Sequence, residues 1–147
     1  MGESIYFNPY PMSSSDSLEV TLQRLRDVRN ILLRLHKALL ESERVTYEQF
    51  HGRIKSKGEY FQLVLSHDWF SWLRPISQFI VEIDELLSSK EPVELYNASG
   101  LLEQAQNLMQ PSEDGDTFGK RYYAAIQRDP DIALMHAQVS RLLESKV

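Results

Sequence analysis

The sequence contains no cysteine among its 147 residues, and it has only six glycines and six prolines. The absence of cysteine excludes a disulfide framework, a zinc site with thiolate ligands, an iron–sulfur cluster and a catalytic cysteine. The glycines do not form a Walker A loop or a Gly-x-Gly-x-x-Gly loop, and no Gly-x-Ser-x-Gly nucleophile motif occurs. Most of the enzyme classes that short motifs identify are therefore excluded.

Long apolar runs are also missing. No stretch approaches the roughly 18 uninterrupted apolar residues that a membrane-spanning helix requires. The first residues carry neither the basic segment nor the apolar core of a secretory signal. We therefore expect a cytoplasmic protein that has no membrane partner. The formal net charge of −5 argues against nucleic acid as a partner.

Apolar residues at helical spacing are the strongest positive signal. In the first predicted helix they recur every three or four residues, which places them on one side of the helix, facing a core. They are Leu18, Leu22, Leu25, Val28, Ile31, Leu32, Leu35 and Leu39. Ser56 and Glu59 predict a capping box that opens a second helix. Asp68 is the expected cap of a third helix, in which Pro75 predicts a kink or a restart.

We predict an all-α fold, a bundle of five to six helices with a long first helix and a Pro-kinked, Trp-containing helix. Residues 16–147 are expected to form one helical-bundle domain, because the chain has the length of a single ordinary domain. Residues 1–15 contain aromatic residues and a serine run but too little apolar surface for a core. They are expected to form an N-terminal arm, either flexible or docked.

The charge is divided along the chain. Residues 17–57 hold nine basic and five acidic residues, whereas residues 58–116 hold two basic and eleven acidic residues. Three interpretations remain open. The two blocks pair within one chain, or they meet across a homodimer, where complementary charge fixes the partner. The third interpretation is that the basic helix binds an acidic partner or a nucleic acid.

A polar row on the first helix is a candidate site. Arg29, His36 and Glu43 are each seven residues apart, and Tyr47 follows one turn later, so the four share one edge of the helix. Such a row can line a cleft in which His36 acts as acid or base and Glu43 orients it. It is also typical of the solvated boundary beside an apolar stripe, which is the interpretation that we favour.

The segment from His67 to Pro75 is the second candidate, because it combines His67, Trp69, Trp72 and Arg74 within eight residues. Tryptophan and arginine are enriched at protein interfaces, and the same set can frame a pocket. The alternative is that Trp69 and Trp72 belong to the core.

No metal or cofactor is predicted. A carboxylate-type metal site in a bundle needs a Glu-x-x-His pair on each of two helices, and the sequence does not supply two. The acidic run at 113–116 is too short for an EF-hand calcium loop.

Two resemblances accompany these patterns. The spacing of Arg29 and His36 resembles the Arg-x4–6-His pattern of the helical HEPN ribonucleases, which implies RNA cleavage by these two residues. The stretches 35–47, 67–85 and 118–136 resemble a family of bacterial helical proteins without an assigned function. That resemblance implies a small bacterial cytoplasmic protein and assigns no residue a role.

The function predicted from the sequence is non-enzymatic: a helical bundle that acts through protein–protein contact, with a protein partner or as a homodimer. The alternative is a small-ligand binder or enzyme with a cleft between the first helix and the His67–Pro75 segment. A HEPN-like ribonuclease that uses Arg29 and His36 is a further alternative.

Overall fold

The computed structural model describes residues 14–144, with side chains from residue 16 onward. The predicted arm therefore lies outside the described residues, apart from Ser14 and Ser15, whose backbone belongs to the first helix. Seven helices occupy the described range, and no strand occurs within it, which confirms the all-α prediction. The helices are α1 (Ser14–His51), α2 (Lys57–Ser66), α3 (Asp68–Ser71), α4 (Arg74–Leu87), α5 (Leu95–Leu108), α6 (Thr117–Arg128) and α7 (Pro130–Glu144).

The 38-residue helix α1 is the axis of the bundle, and the prediction of a long first helix is confirmed. Five stripe residues are fully buried: Leu25, Val28, Leu32, Leu35 and Leu39. Helices α4, α5 and α7 pack against α1, and α6 packs against α7. Their buried residues, including Ile83, Ala105 and Ile132, join the same apolar core.

The Trp-containing segment is two helices, so the predicted restart occurs and the alternative, one kinked helix, does not. Helix α3 ends at Ser71, and α4 restarts at Arg74 with Pro75 in its first turn. Proline is tolerated there because the first backbone N–H groups of a helix have no partner within that helix. The break therefore precedes the proline, at Trp72 and Leu73, and it accounts for the seventh helix.

Two predicted caps have different outcomes. Ser56 caps α2 as expected, since its hydroxyl accepts the backbone N–H of Glu59 at 3.0 Å. The prediction for α3 was wrong: the cap is His67, whose Nδ1 accepts the backbone N–H of Trp69 at 3.0 Å, and Asp68 is the first helical residue. The imidazole of His67 replaces the carboxylate that the sequence favoured.

Helix α4 runs antiparallel to α1, which fixes the two ends of the bundle. The start of α4 adjoins the C-terminal part of α1 through α3, and the end of α4 reaches Arg29, which binds Asp84. No helix in the described range is long and apolar enough to cross a membrane. We call the end formed by residues 47–66 the tip.

Candidate functional site

The predicted site residues divide into two groups. Glu43, Tyr47, His67, Trp69 and Trp72 are linked into one cluster by ion pairs and ring contacts at the C-terminal end of α1. Arg74 lies beside them, and its Nη2 donates to the carbonyl oxygen of Leu65 at 2.6 Å. This bond anchors the C-terminal end of α2 to the start of α4.

Arg29 and His36 lie elsewhere. Arg29 binds both carboxylate oxygens of Asp84, at 2.8 Å and 3.2 Å, and this hydrogen bonding raises the pKa of the guanidinium. His36 is about 16 Å along the α1 axis from Tyr47, at 1.5 Å of rise per residue. Burial lowers the pKa of His36. The seven-residue spacing therefore places these residues on one edge of α1 without joining them into one cleft.

The centre of the cluster is a buried carboxylate. The side chain of Glu43 is only 3% exposed, and its two oxygens face two arginines of α6. Arg121 Nη2 lies 3.4 Å from Oε2, and Arg128 Nη2 lies 3.6 Å from Oε1. Arg128 Nε also donates to the Ser42 hydroxyl at 3.0 Å. Glu43 and Ser42 thereby tie α6 to α1, and we call this group the Glu43 clamp.

Arg121 connects the clamp to both tryptophans. Its Nη2 donates to the carbonyl oxygen of Trp69 at 3.1 Å, and its guanidinium carbon lies 5.6 Å and 5.7 Å from the ring centroids of Trp69 and Trp72. These distances are within the range of cation–π attraction. Trp72 is buried and contacts Phe118, so it is a core residue. Trp69 is half-buried at the edge of the core.

An aromatic cluster extends from Trp69 onto the end of α1. Tyr47 stacks on His51 with a centroid separation of 4.2 Å, and its edge contacts with His67 and Trp69 are 5.4 Å and 5.8 Å. Phe50 packs against Trp69 at 5.9 Å. Because His67 Nδ1 accepts the Trp69 N–H, this nitrogen carries no proton in the structure.

Sequence reasoning missed Arg121, Arg128, Phe50 and His51. The two arginines lie 78 and 85 residues after Glu43, and no local pattern reports a pairing over that distance. Phe50 follows the end of the apolar stripe, where the sequence indicated only the last turn of the helix. His51 is stacked on Tyr47, four residues earlier in α1, a spacing that places two rings side by side.

Helix α2 has no buried residue, although it contains four large apolar residues and a tyrosine. Its inner side contacts the bundle through Tyr60, whose hydroxyl donates to the carbonyl oxygen of Leu40 at 3.3 Å. Its outer side presents Phe61 and Leu65, one turn apart, which are 60% and 53% exposed. Phe50, at the end of α1, is 74% exposed. We call Phe50, Phe61 and Leu65 the apolar tip residues.

Basic residues occur in the same end segment of the bundle as the apolar tip residues. Arg53, Lys55 and Lys57 are all exposed, and Glu59 is the one acidic residue between positions 53 and 59. The loop is held in place by its backbone, since the N–H groups of Ile54 and Lys55 donate to the carboxylates of Glu48 and Glu59, at 2.8 Å and 2.7 Å. The tip therefore has an apolar and positively charged surface on an ordered backbone.

The potential metal ligands among the described residues are not grouped together, and the polar side chains of the cluster are engaged by protein partners. Within residues 16–144, no three histidine or acidic side chains come close enough to hold a metal ion. The carboxylate of Glu43 faces two guanidiniums, and Nδ1 of His67 caps α3 by accepting a backbone hydrogen bond. Between α1 and α3, Tyr47 packs on Phe70 with a ring-centroid separation of 5.7 Å.

No protein-family model matches the sequence, and no curated protein or solved structure is significantly similar to it.

Proposed function

We propose that the protein is a non-enzymatic helical bundle that acts through protein–protein contact and forms a homodimer through its tip. The observation that carries the proposal is the exposed side of α2. A helix without a single buried residue presents Phe61 and Leu65 to solvent, and Phe50 is exposed at the adjoining end of α1. Large apolar side chains that are exposed close to one another mark an interaction surface.

The energy available at these residues suits an interface. Complete burial of a Leu or Phe side chain stabilises by about 1.5–3 kcal/mol. Each of the three apolar tip residues is more than half exposed in a single copy of the protein. Most of this burial free energy is therefore gained only when a partner covers them. Aromatic anchors surrounded by polar residues are the usual centre of a binding surface.

Charge favours a second copy as the partner. The tip carries three basic residues and two acidic ones, Glu48 and Glu59, whereas residues 75–119 contain nine acidic residues and one lysine. A surface with Arg53, Lys55 and Lys57 is attracted to an acidic surface, and this chain supplies one itself. Complementary charge of this kind raises the association rate and selects the partner.

The polar residues of the cluster support a structural role rather than a catalytic one. Glu43 is held between Arg121 and Arg128, and His67 caps α3, so both side chains are engaged in contacts that maintain the fold. Bacterial origin and a cytoplasmic location remain predictions from the sequence.

Light scattering during size-exclusion chromatography, over a dilution series, tests the proposal. The wild type is expected to shift towards a dimer as concentration rises, and the double variant Phe61→Ser/Leu65→Ser is expected to stay monomeric. The control is Leu134→Ser, at an exposed leucine of α7 outside the tip, which is expected to behave as the wild type. Circular dichroism establishes that each variant is folded. A wild type that is monomeric at every concentration overturns the proposal, as does an F61S/L65S variant that dimerises normally.

A further inference from the structure

An open groove lies between α4 and α5, at the end opposite the tip. It has a volume of about 650 Å³ and is open to solvent. Three glutamates line it, Glu82, Glu85 and Glu103, and no lysine or arginine does. Leu86 and Leu101 add apolar surface to the same groove. The groove therefore combines negative charge with apolar walls.

Aromatic and aliphatic side chains project beside these glutamates. Tyr96, which lines the groove together with Leu86 and Leu101, is 85% exposed. A tyrosine offers a flat apolar face together with a polar hydroxyl, a combination that is favoured in binding surfaces. The groove thus presents the apolar contacts that a partner with exposed phenylalanine or leucine needs.

The glutamates of the groove have no ion-pair partner among the described residues. The nearby Asp84 is bound by Arg29, whereas Glu82 only accepts a long hydrogen bond from Gln104, at 3.5 Å. Like charges on neighbouring turns of a helix repel one another. A cationic partner removes this repulsion when it enters the groove.

The tip supplies the matching chemistry. Its basic residues, Arg53, Lys55 and Lys57, and the apolar residues Phe61 and Leu65 of α2 are all exposed within the segment 53–65. The groove presents negative charge with Tyr96 and apolar walls. Both components of the tip therefore find a complement in the groove.

The two surfaces of one chain cannot meet. The groove lies level with Arg29, which binds Asp84, and the tip begins near Phe50, so about 30 Å of α1 separates them at 1.5 Å per residue. Contact therefore requires two copies. If two bundles lie antiparallel about a two-fold axis, each tip lies level with the groove of the other copy, and the contact forms twice.

We propose that the groove between α4 and α5 receives the basic tip of a second copy in an antiparallel homodimer. This inference rests on the proposed homodimer and names the surface that the tip contacts. A basic segment of a different protein is the alternative occupant, and the mixing experiment below separates the two.

Paired charge reversals test the contact. Lys55→Glu/Lys57→Glu reverses the tip, and Glu82→Lys/Glu85→Lys reverses the groove. Each variant alone is expected to weaken dimerisation by about tenfold or more, since two attractive pairs become repulsive in each contact. An equimolar mixture of the two variants is expected to form a heterodimer in which the tip of one and the groove of the other are both reversed.

That heterodimer keeps one native contact and one contact with both charges exchanged, so the mixture is expected to associate about as tightly as the wild type. The matched control for the acidic substitutions is Glu113→Lys/Asp114→Lys, in the exposed loop before α6, which is expected to dimerise normally. Sedimentation velocity at low salt measures all four samples, because salt screens such pairs.

The outcomes separate this inference from the proposed homodimer. If the wild type dimerises and F61S/L65S does not, but the reversals have no effect, the tip is an interface and the groove is not its partner. If either reversal weakens dimerisation but mixing gives no recovery, the two surfaces do not meet, and the inference is overturned. A wild type that is monomeric refutes the homodimer itself.

Discussion

Removing the arginines of the Glu43 clamp should destabilise the protein more than removing the carboxylate that they bind. Glu43 is 3% exposed, so its charge depends on Arg121 and Arg128, which lie 3.4 Å and 3.6 Å away. The two guanidiniums are partly exposed and remain hydrated when Glu43 is neutralised. The perturbation is therefore the double variant Arg121→Met/Arg128→Met, made in the wild type and in Glu43→Gln.

The magnitude follows from the geometry. At a separation of 3.4 Å, opposite charges attract by about 5 kcal/mol with an effective dielectric constant of about 20. Desolvation offsets much of this, and loss of the partners of a buried charge costs about 3–5 kcal/mol. Because both arginines reach solvent, we take the lower end, about 3 kcal/mol for the double substitution. In the Glu43→Gln background, where no charge is stranded, the same substitution should cost about 1 kcal/mol.

Urea unfolding followed by circular dichroism at matched protein concentration measures this cycle, and the expected coupling is about 2 kcal/mol. The contacts of Arg121 with Trp69 and Trp72 are lost in both backgrounds and cancel. Arg141→Met, at an exposed position of α7, is the control and should cost the same in both backgrounds. A coupling below about 0.5 kcal/mol would refute the view that these two arginines compensate the burial of the Glu43 carboxylate.

Two further predictions concern the histidines inside the bundle. Tyr122→Phe should lower the free energy of unfolding by about 1 kcal/mol in urea titrations, because the buried Tyr122 hydroxyl and His136 Nδ1 lie 2.8 Å apart and the nitrogen loses its partner. Burial lowers the pKa of His36, so the unfolded chain binds more protons than the folded one as pH falls through the unfolded value of about 6.5. The contribution of His36 to the free energy of unfolding is thus fully present above that value and is lost as the pH falls below it. His36→Gln should reduce the slope of the free energy of unfolding against pH between about pH 5 and 7. An unchanged slope would contradict this assignment.

The fold was predictable where the signal is local. The stripe from Leu18 to Leu39 repeats at helical spacing, and the residues at its centre, such as Leu32 and Leu35, are fully buried. The restart of the Trp-containing segment was also predictable, because Pro75 is compatible with the first turn of a helix. The interruption at Trp72 and Leu73 has no turn residue to mark it.

The candidate site was predictable only in part, because its parts come from distant segments. Glu43, Tyr47, His67 and Trp69 were singled out from separate patterns, and the structure places them in one cluster. Arg121 could not be connected to Glu43, since the pairing depends on how α6 packs against the rest of the bundle.

The exposure of Phe61 and Leu65 on α2 could not be predicted from sequence patterns, for a similar reason. Phe61 and Leu65 have helical spacing with Tyr60 and Val64, so the pattern alone favours a buried helix. The structure turns Tyr60 towards Leu40 and leaves Phe61 and Leu65 in solvent. Only the packing of the remaining helices decides which side of α2 is covered.

Sedimentation equilibrium of the unmodified chain, over increasing protein concentration, tests the central claim most directly. One copy has a mass of 17.1 kDa. The proposed homodimer predicts that the weight-average mass rises with concentration and levels off at twice this value. A mass that stays at the value for one copy at every concentration would contradict the account.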